Sequence, residues 1–187
     1  MGARGDAVAA TRRRILEAGR SLGVEDLNLD PTLEDVARRA GVSVQTVLRH
    51  FGTRESLLAA VVDHASRRIE LERRPAGPDP ASAVDVVLEH YEQLGDFSLA
   101  LLAREPVDPR SAEIATLGKA MHRRWVERSF AAALPAEPDA REALVDLLVV
   151  ATDVSAWKLL RRDRGHAVPV VRERMLAMVQ ALLATAG

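Results

Sequence analysis

Apolar positions along the chain recur at helical spacing from one end to the other. The first pattern covers about 7–22, with Val8, Ile15, Leu16, Gly19 and Leu22 near one face and Arg12, Arg13 and Arg14 mostly on the other. Gly23 is expected to weaken the end of this helix, and the acidic stretch 24–31 reads as irregular. Thr32 after Pro31 is placed to cap a short helix over 33–40, Gly41 to turn the chain, and Ser43 to cap a second short helix over 44–51. Gly52 closes that helix, and Thr53 opens a longer one to about 73 with Leu57, Leu58, Val61, Val62, Ala65 and Ile69 on its apolar side.

The segment Pro75 to Pro80, with three prolines and one glycine, interrupts the pattern. Beyond it, helical spacing returns around Val84, Val87, Leu88, Tyr91, Leu94, Ser98, Leu101 and Leu102, until Pro106 and Pro109 stop it. A block over 112–134 carries Leu117, Met121 and Trp125 at four-residue steps, as one short and one longer helix. The stretch 140–162 is apolar almost all round at its centre, which predicts a helix buried on more than one side, with Asp153 as an unusual acid in its middle. A polar loop over 163–169 leads to a last helix over 170–184 with a broad apolar stripe of Val171, Met175, Met178, Val179, Leu182 and Leu183. No internal repeat or low-complexity run is visible.

Composition sharpens this to an all-α fold. The 187 residues include 31 Ala, 24 Leu and 21 Val against 3 Ile and 6 aromatic residues, a mixture that favours helices over strands. The absence of cysteine excludes thiol catalysis, cysteine zinc sites and disulfides. The longest uncharged stretch, 175–187, is shorter than the ~20 residues that span a bilayer, so a soluble, cytoplasmic protein is expected. The 26 basic and 27 acidic side chains neither demand nor exclude nucleic acid. A DNA-binding face would have to be assembled by folding from Arg12, Arg13, Arg14, Arg38, Arg39, Arg49 and Arg54.

The segment TLEDVARRAGVSVQTVLRHF, residues 32–51, has the spacing of a helix-turn-helix. Ala37 stands four residues before Gly41 and Val47 six after it, giving a small residue where the helices touch, a glycine turn and an aliphatic lock. The second helix would enter the major groove with Ser43, Gln45, Thr46, Arg49 and His50 outward and Val47, Leu48 and Phe51 inward. Val44 is suited either to the interior or to a thymine methyl.

In order and spacing, TRRRIL (11–16), TLEDVARRAGV (32–42), Thr46, the His50-Phe51 pair and RESLL (54–58) resemble the signature of the TetR family of transcriptional regulators. The resemblance implies about nine helices, with a DNA-binding domain of three helices over 1–52 and a ligand-binding and dimerisation domain over 53–187, joined by the helix over 53–73. It also implies phosphate contacts from Thr32, Thr46, His50 and Arg54, with Ser43, Val44, Gln45 and Arg49 as candidates for base or groove contacts. Gly23 and the linker 24–31 depart from the phenylalanine and shorter turn usual in the family, and two positions of the motif depart as well. Leu48 stands where tyrosine is common and cannot bond a phosphate, and Gln45 stands where glycine is common and is able to read an adenine.

These readings lead to a ligand-responsive regulator, expected to repress from a palindromic operator and to be released by a small-molecule effector. The homodimer is expected to form through the last two helices, whose apolar perimeter exceeds what one chain covers. Tyr91, Phe97, Met121, Trp125, Asp153 and Trp157 are candidates to line the effector pocket, with core packing as the competing role for each. Asp153 is equally suited to pairing across a dimer interface, to facing a pocket or to binding a cationic effector. No HxxxH or HxxE pairing suggests a metal, and no cofactor is expected. The alternatives are a DNA-binding activator or architectural protein without an effector, and a small helical enzyme, against which the absence of GxSxG, a phosphate loop and paired catalytic carboxylates counts.

Overall fold

The computed structural model describes residues 3–185 and contains, among them, only helices and their connections. In chain order these are α1 (Ala3–Asp26), α2 (Leu33–Ala40), α3 (Val44–Phe51), α4 (Arg54–Glu72), α5 (Pro80–Arg104), α6 (Pro109–Ser129), α7 (Pro138–Thr152), α8 (Val154–Lys158) and α9 (Val168–Ala184). A 3-10 turn lies at Ala131–Ala133 and a wider, π-type turn at Leu159–Asp163. None of these helices is long and apolar enough to cross a membrane. The chain divides into two units, 1–68 and 69–187, so that α4 begins in the first and ends in the second.

The first unit is organised around Ile15, Ala18 and Leu22 of α1, Val36, Ala37 and Ala40 of α2, Val47 and Phe51 of α3, and Leu57 and Val61 of α4. Gly19 lets α1 and α4 meet closely. A Cβ built on it would lie 2.5 Å from Val61 Cγ2, a distance no side chain tolerates. Helix α1 runs to Asp26, past the end that Gly23 suggested. Gly23 is accommodated inside the helix, and the chain leaves it at Leu27, whose φ of 51° is the left-handed conformation of a helix C-terminus. Asn28 N–H then closes the end by donating to the Leu22 carbonyl (3.1 Å).

The core of the second unit combines Ala83, Val84, Val87, Leu88 and Tyr91 of α5, Trp125 and Val126 of α6, Leu144, Val145 and Leu148 of α7, Trp157 of α8, and Val171, Met175 and Val179 of α9. Gly95 makes room for Trp157, because a Cβ there would lie 2.5 Å from the indole ring. Residues 109–129 form one continuous helix, α6, followed by the 3-10 turn, in place of a short and a longer helix. Pro109, expected as a stop, opens α6 behind an Asp108 cap.

The apolar stretch over 140–162 is likewise not one helix. It breaks at Asp153, which has extended backbone and whose carboxylate accepts the Ser155 N–H (2.8 Å) to cap α8. An acid that looked anomalous inside an apolar helix is therefore half-buried at a helix junction, where its carboxylate has a backbone partner.

Candidate nucleic-acid interface

Capping fixes the helix-turn-helix locally. Thr32 Oγ1 accepts the Asp35 N–H (3.1 Å) while Asp35 Oδ2 accepts the Thr32 N–H (3.1 Å), a reciprocal box that starts α2. Gly41, with φ 63° and ψ 41°, takes the left-handed turn, and Val42 N–H donates to the Ala37 carbonyl (3.0 Å). Ser43 Oγ accepts the Thr46 N–H (3.2 Å) to start α3, and its hydroxyl lies 3.0 Å from that of Thr46. Val47 is fully buried, Phe51 is buried, and Val44 is half-buried against the same core.

The outward residues of α3 differ in what they already bond. Ser43, Gln45 and Arg49 are exposed, and among the described residues the side chains of Gln45 and Arg49 make no hydrogen bond or ion pair. Thr46 and His50 are half-exposed beside them, and Leu48 is half-buried. The N-terminus of α3 carries two hydroxyls and no acidic residue in its first turn, so its N–H groups and dipole favour an anion there. At the N-terminus of α2 the Thr32 hydroxyl lies 2.7 Å from Asp35 Oδ2. The hydroxyl and backbone bonds from Thr32, and then the neighbouring Arg38, hold the Asp35 carboxyl below its usual range.

Other arginines hold this scaffold together. Arg12 of α1 donates from Nη1 to the His50 carbonyl (3.0 Å), and its guanidinium lies 4.3 Å from the Phe51 ring centroid. Arg39 joins α2 to the end of α1 through Ser21 Oγ (2.6 Å) and Glu25 Oε2 (3.0 Å). Arg54, the first residue of α4, donates to the carbonyls of Pro31 (3.0 Å) and Asp30 (2.8 Å) and pairs with Asp30 Oδ1 (2.6 Å), bracing the loop before α2. Arg38 pairs with Asp35. Of the seven arginines proposed for a basic face, Arg13, Arg14 and Arg49 are the ones whose exposed guanidinium groups make no such internal bond among the described residues.

The residues considered for an effector pocket lie in the second unit. Tyr91, Met121, Trp125 and Trp157 are buried, while Phe97 and Asp153 are half-buried. Tyr91 and Trp157 pack with ring centroids 6.0 Å apart, and Trp125 meets Phe130 edge-on at 6.2 Å. Trp125 also stacks on His122 at 5.5 Å and lies beneath the guanidinium of Arg73, 4.4 Å from its ring centroid. Arg73 and Thr152 belong to this cluster but gave no signal in the sequence, because a basic residue after a helix and a threonine at the end of an apolar run are ordinary features. His122 was visible only as a lone histidine.

Comparison with known proteins agrees with the geometry of the first unit. Residues 29–61 match the family model for bacterial regulatory proteins of the tetR family. The HTH-type transcriptional repressor Rv3405c of Mycobacterium tuberculosis (strain H37Rv) is 32% identical over 93 residues, 50% of this chain and 47% of that protein. The HTH-type transcriptional regulator Mb3439c of Mycobacterium bovis matches to the same extent, so the chain spans about half the length of these curated relatives. Among solved structures, a transcriptional regulator from Rhodococcus sp. Rha1 aligns with a TM-score of 0.63 at 19% identity, covering 93% of this chain and 96% of the other. GusR of Salmonella enterica aligns with a TM-score of 0.63 at 20% identity, covering 94% and 96%. At these identities the likeness is one of fold. The capped α2-Gly41-α3 pair is thus similar, over residues 29–61, to the helix-turn-helix of bacterial regulatory proteins of the tetR family, and the chain shares its fold with the transcriptional regulator from Rhodococcus.

Proposed function

We propose that the chain is a DNA-binding transcriptional regulator that represses from a roughly palindromic operator and responds to a small-molecule effector. The observation that carries the DNA-binding half is the presentation of α3: a fully buried Val47 fixes the helix, and Gln45 and Arg49 keep their bonding groups outward. In this reading Arg49 bonds a guanine edge or a phosphate, and Gln45 bonds an adenine. Ser43, Thr46 and His50 grip phosphates around the groove, Val44 packs beside them, and Thr32 takes a phosphate by turning its hydroxyl away from Asp35. Arg54 acts mainly by positioning, since its Nε and Nη2 are committed to Pro31 and Asp30.

A homodimer through α7 and α9 supplies the second reading head. Leu147 (52% exposed) and Val150 (67%) on α7 and Met178 (38%) on α9 support it, because isolated apolar side chains at this exposure on adjacent, mostly apolar helices suit an intermolecular bundle. Half-sites are then about one helical turn apart. The effector acts in the second domain, 53–187, among Tyr91, Phe97, Met121, Trp125, Asp153 and Trp157, and shifts the two heads through α4. The test is binding of the purified protein to selected DNA with and without the Arg49→Ala substitution, which is expected to weaken binding and to relax preference at one base pair by a factor of about 5 to 150.

A further inference from the structure

Arg73 directly follows α4 and is 6% exposed, in the second unit, yet no carboxylate among the described residues pairs with it. Its partners are neutral. Nη2 donates to His122 Nδ1 (2.7 Å), so that nitrogen carries no proton and the histidine is in the Nε2–H form. His122 Nε2 in turn faces Thr152 Oγ1 (3.2 Å) and the Val149 carbonyl (3.4 Å), while Thr152 donates to the Leu148 carbonyl (2.7 Å). Tyr91 spends its hydroxyl on the Thr152 carbonyl (3.0 Å), and the Trp125 indole N–H donates to the Arg73 carbonyl (2.7 Å). The chain of bonds runs Arg73 to His122 to Thr152 to Leu148, and Arg73 Nε is left buried without a partner.

A buried guanidinium held only by neutral groups and an aromatic face is costly without an anion. Arg128 adds a second positive charge, and Asp153, whose carboxylate caps α8 and whose charge still reaches Arg73, offsets one of the two. His90 and His122 both titrate far below the ordinary histidine range, through burial first and the charge of Arg73 second, so neither contributes charge at neutral pH. The cluster therefore lacks one negative charge, and its other surroundings are the apolar core around Tyr91, Trp125 and Phe130. One missing charge in an apolar, aromatic setting suits a monoanion with an apolar body better than a dianion such as phosphate.

We propose that Arg73 anchors an anion site in the second unit that takes the carboxylate of a small aromatic or aliphatic acid. Arg73 Nε and the edge of the guanidinium hold the carboxylate, and Trp125 keeps the guanidinium oriented. This specifies the chemical class of effector and rests on the reading of the protein as ligand-responsive. Because Arg73 is the residue after α4, a carboxylate drawn to it acts at the end of the helix that begins beside the DNA-binding motif.

The test is thermal unfolding of the full chain with benzoate, phenylacetate and octanoate, each against its neutral amide at matched ionic strength. Arg73→Met and Arg73→Lys variants are run alongside, their folding checked by circular dichroism. At least one acid is expected to raise Tm by about 5–10 °C at a hundred-fold excess over Kd, its amide much less. Arg73→Met abolishes that shift and Arg73→Lys retains part of it. Equal protection by acid and amide, equal protection of folded Arg73→Met, or no protection by any of the three acids overturns the proposal. The wild-type contrast between acid and amide decides even if Arg73→Met does not fold. DNA binding is measured separately: an intact operator complex with no acid effect removes this site alone, whereas loss of DNA recognition contradicts the regulator reading and leaves an acid-specific shift standing.

Discussion

Arg12 of α1 donates a hydrogen bond to the carbonyl of His50, in the last turn of α3, at 3.0 Å. The same guanidinium lies over Phe51, so one side chain satisfies an otherwise unpaired helix-end carbonyl and seals the aromatic end of the core. Arg12→Ala is expected to destabilise the first unit by about 2–4 kcal/mol, the sum of a lost charged hydrogen bond and a cation–π contact. Chemical denaturation monitored through α-helical circular dichroism checks this. Arg49→Ala, with no internal partner to lose, is expected to change stability by less than about 0.5 kcal/mol while weakening DNA binding.

Arg54 offers a way to separate positioning from phosphate contact. If six to eight phosphates are neutralised per dimer, the slope of log K against log salt is roughly -5 to -7, and each lost phosphate contact reduces its magnitude by about one. Arg54→Ala is expected to lower affinity and thermal stability while leaving the slope nearly unchanged. A fall in the slope would return Arg54 to the set of phosphate ligands.

Two glycines are expected to be intolerant of a single methyl group. Gly19→Ala pushes against Val61 between α1 and α4, and Gly95→Ala pushes against the Trp157 ring, whose indole N–H is also held by Glu92 Oε1 at 2.7 Å. Each substitution is expected to cost about 1–3 kcal/mol through overpacking. Gly118→Ala, where an added Cβ meets nothing within 4 Å, serves as the control and is expected to be neutral or slightly stabilising.

Acid is expected to destabilise the second unit before its carboxylates titrate. His122 has its pKa lowered from 6.5 to about 4 and His90 from 6.5 to about 3, in both cases by burial and then by the positive charge of Arg73. In the unfolded chain both bind protons as pH falls through about 6.5, whereas the folded chain does not follow until about pH 4 or below. The unfolded state therefore binds more protons in that window, and stability falls from pH 6.5 toward 4. Denaturation midpoints across this range check the direction, and His122→Gln is expected to flatten the dependence.

The helix-turn-helix was legible because its signals are local: Thr32, Gly41, Ser43 and Gly52 act within a few residues of their own positions. The all-helical fold was legible for a similar reason, since Ala, Leu and Val recur at helical spacing throughout. The end of α1 was not, because Gly23 is an ordinary helix-ending signal and the true end uses a leucine in a left-handed conformation that side chains rarely adopt. The break at Asp153 was marked in the sequence by Asp two residues before Ser155, but the continuous apolar pattern on both sides outweighed it. Arg12 with His50, Arg54 with Pro31 and Arg73 with His122 are separated by 38, 23 and 49 residues, and no periodicity reports such pairings.

Every expectation about DNA rests on α3 as the reading helix. Selection of bound sequences from a random double-stranded pool by the purified protein, with Arg49→Ala and Thr46→Ala alongside, tests it most directly. A single enriched palindrome that is lost or altered in both variants is expected. Failure of the wild-type protein to enrich any sequence across a range of salt concentrations would contradict it.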